Sequence, residues 1–167
     1  DVAQNGSNNF DDHAEENVFK DLHRAAAQLI NAAPDDIAAG SSATELLCSL
    51  AWAVSPGKGK NVVSTEIVFP STVYPWQRVA RSTGCEIRLA KEKNNFIHTD
   101  DIIALIDRHT AVVCISHVEY GNGQTYDLNL LSDAAHEQGA LLVVDATQSA
   151  GSIPIDVQAC QVDVLIS

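Results

Sequence analysis

Ala140-Leu141-Leu142-Val143-Val144-Asp145-Ala146-Thr147-Gln148-Ser149-Ala150-Gly151 opens with five apolar residues that do not alternate with polar ones, the pattern of a strand covered on both faces. The run breaks at a carboxylate, and small and hydroxylated residues suited to a loop follow. Ala111-Val112-Val113-Cys114-Ile115 repeats the pattern upstream and leads into Ser116-His117. Around these two runs, short apolar segments alternate with amphipathic ones. Strands are expected at Ile37–Ala39, Val62–Ser64, Glu86–Leu89, Ala111–Ile115, Ala140–Val144 and Val162–Ile166. Helices are expected at Ala43–Val54, Thr72–Thr83, Asp100–Asp107 and Leu128–Gln138, with a short turn near Val157. An earlier helix places Val18, Phe19, Leu22, Ala26, Leu29 and Ile30 on one face and ends at Pro34-Asp35-Asp36. This order predicts an α/β fold, a three-layer αβα sandwich on a mostly parallel sheet, with Ala111–Ile115 and Ala140–Val144 as central strands. Residues 1–12 are polar and rich in Gly and Asn, so they are expected as a terminal segment outside a domain at 13–167. In such sheets ligands bind beyond the carboxyl ends of the strands, which makes the residues after each apolar run the candidates.

The totals narrow the function. The 167 residues suit one domain, 46% hydrophobic and 19% charged, as in ordinary soluble globular proteins. No apolar run approaches the roughly 20 residues that span a bilayer, and the polar, acidic beginning is unlike a signal peptide, so no membrane is expected. A formal charge of -12 with ten scattered basic residues excludes nucleic acid as a partner, because neutralising phosphates takes clustered Lys and Arg. Cys48, Cys85, Cys114 and Cys160 form no CxxC pair and have no His at ligand spacing. They are expected as reduced structural thiols of a cytoplasmic protein, with no metal.

Two nucleotide signatures fail. Gly57-Lys58-Gly59-Lys60 lacks the earlier glycine of a phosphate loop, since Val54 stands in its place, and GxGxxG is absent. Gly40-Ser41-Ser42-Ala43-Thr44-Glu45 reads two ways. Small residues at a helix start expose N–H groups to an anion, while Ser42 and Glu45 at capping-box spacing make a plain helix start. Asp145 is either a turn cap or an anion at the sheet mouth for a cationic ligand group, with the Gln148 amide near it. Phe69, before Pro70, is either a stacking surface or a hydrophobic staple against the helix that contains Trp76. His117 and Glu119 are either an acid–base pair or loop hydrogen-bonders.

Together, and in this order, Gly40–Glu45, Val62–Glu66, Phe69–Trp76, Ser116-His117-Val118 and Val144–Gly151 resemble the class V pyridoxal-phosphate-dependent aminotransferases, a family that includes cysteine desulfurases. The resemblance runs from about Asp12 to the end of the chain, and Val144–Gly151 is its most specific motif. It implies pyridoxal 5'-phosphate as cofactor, an amino acid as small-molecule substrate, and a homodimer. By position, Ala43 and Thr44 would hold the phosphate, Phe69 would stack on the ring, Asp145 would pair with the ring nitrogen and Gln148 would reach the ring hydroxyl. Phe69 stands where desulfurases carry a stacking His, and Tyr120 where they carry an Asn. Both differences leave transamination, C–S or C–N cleavage and epimerisation open. The Schiff-base lysine is expected about four residues after Ser167, so no catalytic residue is assigned within the chain and this segment alone is expected to be inactive. The other reading is a non-catalytic module of the same fold that binds a partner or a phosphorylated ligand.

Overall fold

β-Branched residues fill the middle of the sheet, and their alternation builds a core on each side of it. The computed structural model describes residues 18–167, so the expected segment 1–12 lies outside the described residues. The strands are β1 (Asn61–Thr65), β2 (Glu86–Ala90), β3 (Thr110–Ser116), β4 (Leu141–Asp145) and β5 (Val164–Ile166), in the order β2-β1-β3-β4-β5. Every pairing is parallel. Successive side chains leave a strand on opposite faces. Val63, Val113, Ile115, Leu142 and Val144 accordingly enter one buried cluster, and Val62, Val112, Cys114 and Val143 the other.

The first cluster is closed by the helices α4 (Thr99–Ile103) and α5 (Leu128–Glu137), through Ile102, Leu128, Leu131 and Ala135. The second is closed by α2 (Ala43–Val54) and α3 (Pro70–Thr83), through Leu47, Ala51, Trp76 and Val79. Helices therefore cover both faces of a parallel sheet, the expected three-layer α/β fold, with β3 in the middle and β4 beside it. Truncating a core residue such as Ile115, fully buried, costs about 2–5 kcal/mol, lost transfer energy plus a cavity.

Local chemistry sets the helix ends. α3 begins at Pro70, whose fixed φ and missing N–H suit the first helical position. It closes at Gly84 with φ 78°, a conformation that a side chain would strain. Pro75, inside the same helix, cannot donate to the Ser71 carbonyl. The Asp127 carboxylate caps α5 by accepting the Asn129 and Leu130 N–H groups at 2.9 and 3.3 Å.

Three expectations need correction. Ile37–Ala39 forms no strand: Ile37 is extended (φ -94°, ψ 126°) and follows a 3-10 turn at Pro34–Asp36. The helix expected at Asp100–Asp107 is only Thr99–Ile103, because Leu105 and Ile106 turn back onto Ile102 and Ile103 with tighter i to i−3 hydrogen bonds of 3.0 Å. The first helix of the described residues, α1 (Lys20–Ile30), has the expected amphipathic pattern, yet Val18, Phe19, Leu22 and Leu29 are 50–54% exposed and only Ala27 of the helix is buried. Among the described residues no helix is long and apolar enough to cross a membrane, and no group of three or more His, Cys, Asp or Glu is placed to hold a metal ion.

Candidate active site

The register that aligns β3 with β4 puts Ser116 beside Asp145 at the carboxyl edge of the sheet. The N-terminus of α2 and the Phe69 entry to α3 come to the same edge, and the segments enclose a cavity of about 160 Å³. Ala43, Thr44, Phe69, Asp145 and Gln148, the five residues singled out in the sequence, all line it. Ser71, Ser116, Val118, Tyr120 and Thr147 complete the wall.

Asp145 is 5% exposed. Its Oδ1 accepts the Thr147 N–H at 3.0 Å, and its Oδ2 accepts the Thr72 hydroxyl at 2.7 Å. The first bond is the turn cap of the plain reading, but the second comes from another element. No ion pair of the described residues includes Asp145.

At the α2 end, Ser42 Oγ accepts the Glu45 N–H at 3.2 Å. The Glu45 carboxylate does not complete a reciprocal capping box. It takes the Ser41 N–H and hydroxyl at 2.8 and 2.6 Å, and those bonds hold its pKa below the usual value. The N–H groups of Ala43 and Thr44 precede the first intrahelical bond and have no acceptor within the helix. A Cβ at Gly40 would lie 2.7 Å from the tip of the Leu46 side chain, which would have to shift.

Phe69 is 46% exposed, whereas Trp76 is wholly buried. The Phe69 ring therefore stands at the cavity, where Tyr120 meets it edge-on with centroids 5.1 Å apart at 87°. Phe69 is thus half covered and half open at the cavity.

His117 and Glu119 do not line the cavity. Backbone alternation continues past the end of β3, sending Ser116, Val118 and Tyr120 to the cavity and the two titratable residues away from it. His117 Nδ1 lies 3.0 Å from Ser149 Oγ, and burial lowers its pKa. Glu119 Oε1 accepts from Thr65 Oγ1 at 3.0 Å and from the Tyr126 hydroxyl at 3.2 Å, and burial raises its pKa. Both act as hydrogen-bonders within the fold. The wall residues Ser71, Ser116, Val118 and Thr147 were not singled out in the sequence, although two-residue alternation from Tyr120 back to Ser116 carries the signal for two of them.

A larger hollow of about 840 Å³ lies between α1 and the β5 edge, bordered by Leu29, Ile30, Ile37, Val162 and Leu165. Its wall also carries Asp36, Gln158, Gln161 and Asp163, but no aromatic side chain and no lysine or arginine. Size favours one hollow and donor chemistry the other, and chemistry decides.

Comparison with known proteins places the chain in a family. The family model described as aminotransferase class-V matches residues 3–167. The uncharacterized aminotransferase YcbU of Bacillus subtilis (strain 168) is 33% identical over 139 residues, spanning 83% of this chain and 37% of that protein. A kynureninase of Geobacillus thermodenitrificans (strain NG80-2) is 34% identical over 135 residues, 77% of this chain and 32% of that enzyme. Among solved structures, an apo cysteine desulfurase from Thermococcus onnurineus NA1 superposes with a TM-score of 0.80 at 25% identity, covering 88% of this chain and 37% of that one. The chain thus spans about a third of the length of these relatives. The match of the family model over nearly every residue, on a parallel sheet with its cavity at the carboxyl edge, makes this chain a member of the class V aminotransferases.

Proposed function

We propose that the cavity binds pyridoxal 5'-phosphate and that the protein is a pyridoxal-phosphate-dependent enzyme acting at the α-carbon of an amino acid, by transamination or by C–S or C–N cleavage. The observation that carries this reading is Asp145, a buried carboxylate with two hydrogen-bond donors and no cationic partner among the described residues. An unpaired buried charge is expensive, and a protonated ring nitrogen is the cation that would complete it. The rest of the donor set fits the same molecule. The Ala43 and Thr44 N–H groups at the start of α2 suit a phosphate dianion, the exposed face of Phe69 suits a flat ring, and the Gln148 amide suits the ring hydroxyl.

Bound there, the cofactor supplies an electron sink for the α-carbon, which works only while its ring nitrogen is protonated. The work of this chain is positional. Asp145 holds that proton at the ring nitrogen, the start of α2 anchors the phosphate, and Phe69 with Tyr120 keeps water off one side of the ring. No lysine lines the cavity, so the reading assigns none in this chain to the Schiff base. A homodimer in the cytoplasm, built on a cofactor domain at 13–167, belongs to the same proposal.

Replacing Asp145 by Asn in the full-length protein keeps the shape and removes the charge. Turnover of the best amino acid should fall by orders of magnitude, each tenfold being about 1.4 kcal/mol of barrier, while Asp145→Glu should be milder. An Asp145→Asn protein that folds, binds the cofactor and turns over at the wild-type rate would leave Asp145 as a turn cap only.

A further inference from the structure

Thr72 is fully buried in the first turn of α3 and does not line the cavity. Its hydroxyl nevertheless reaches Asp145 Oδ2 at 2.7 Å, across 73 positions of sequence. Its own backbone is held from two sides, by an N–H bond to the Phe69 carbonyl at 2.9 Å and by a contact of 3.4 Å from Cys114 Sγ to its carbonyl. Cys114 is a buried β3 residue whose thiol is pushed up to about 12, chiefly by burial, so it stays a neutral donor to that carbonyl.

We propose that Thr72 is a positioning residue for the Asp145 carboxylate, so that one turn of α3 sets both the stacking ring and the partner of the ring nitrogen. The proposal rests on the cofactor reading above. Two donors, Thr72 Oγ1 and Thr147 N, occupy one lone pair on each carboxylate oxygen and fix the carboxylate plane. Phe69 stands three residues before Thr72 and is bonded to it, so the ring face and the anion are placed by the same rigid piece of backbone. Without the hydroxyl, Thr147 alone would hold the group, and Asp145 could rotate away from the ring.

The test compares equilibrium binding of two ligands to the full-length protein: pyridoxal 5'-phosphate, and the analogue in which C–H replaces the ring nitrogen. Wild type should prefer the natural cofactor. Thr72→Val should lose roughly tenfold of affinity for it, the scale of one hydrogen bond to a charged group, and bind the analogue as wild type does. Thr72→Ser keeps the hydroxyl and should restore the preference. Thr72→Ala is the second hydroxyl-free variant should valine prevent folding, which circular dichroism reports. Equal losses for both ligands, or an undiminished preference in a folded hydroxyl-free variant, would overturn the role of Thr72 while leaving the cofactor reading intact. A wild type that binds both ligands equally would overturn the pairing of Asp145 with the ring nitrogen, and the proposal with it.

Discussion

Glu119 is 1% exposed and only half satisfied: Oε1 accepts from Thr65 and Tyr126, and Oε2 is buried without a partner. Burial is the main reason its pKa is raised above 4.5; the Thr65 and Tyr126 bonds oppose the rise, and the Asp145 charge adds to it. The sign for stability follows from proton counting. Between the unfolded and folded values the native state holds more protons than the unfolded chain, so stability falls as pH rises through that window. The contribution is fully present below the unfolded value and is lost above the folded one. Glu119→Gln keeps an acceptor for Thr65 and Tyr126 and cannot titrate. Its urea midpoint should therefore gain on wild type as pH is raised from about 4 to about 8. A gap that stays constant over that range would show that Glu119 ionises in the folded protein as easily as in the unfolded one. The same residue shows what a sequence hides. Its neighbour Tyr120 faces the cavity, and only the direction of a strand's last side chains separates the two. Thr72 was equally invisible, because its partner Asp145 lies on another element and nothing local to Phe69-Pro70-Ser71 signals the pairing.

At the scale of elements, the cap of α5 is the cleanest point of attack. Asp127 Oδ1 satisfies two N–H groups that the helix cannot pair itself. Asp127→Ala should cost about 1 kcal/mol and Asp127→Asn much less, read from urea denaturation with an unchanged slope. An alanine variant as stable as wild type would mean that solvent caps the helix equally well. Elements with such local signals were legible. Ala43–Val54 starts at Ser42 and forms as expected, and the two unbroken apolar runs became the interior strands β3 and β4. Elements whose extent depends on partners were not. Ile37-Ala38-Ala39 is a short apolar run, but two of its residues are alanines, which strands disfavour, and it forms no strand; Asp100–Asp107 shortened where the chain tightened at Leu105 and Ile106. The start of α3 fell at Pro70, two residues before the apolar periodicity begins, because proline suits the first helical position. Most of the candidate site was legible for a topological reason: Phe69, Asp145 and Gln148 lie at or after strand ends, and a parallel sheet brings strand ends together, whereas Ala43 and Thr44 were legible as a helix start that no strand precedes.

For the whole molecule, stability is unevenly distributed. β3 is flanked by strands on both edges and by a buried cluster on each face, with Val112 to Ile115 all fully buried. Opening it requires losing both clusters, which amounts to global unfolding. α1 contributes a single buried side chain, Ala27. It is tied to the rest through the Val157 N–H bond to the Ile30 carbonyl at 3.0 Å and the Asn31 Nδ2 bond to Asp156 Oδ2 at 2.9 Å. Among the described residues, two hydrogen bonds and one buried alanine of this kind supply about 1–3 kcal/mol, well below the 5–15 kcal/mol of a typical domain. Native-state hydrogen exchange should therefore find the amides of β3 and β4 opening only with the whole fold, and those of residues 24–30 opening locally at a much smaller free energy. Asn31→Ala should lower protection in α1 further without changing β3, because the bond it removes runs to Asp156, outside the sheet. Equal protection of α1 and β3, or a loss in both on Asn31→Ala, would mean that the helix and the sheet unfold as one cooperative unit.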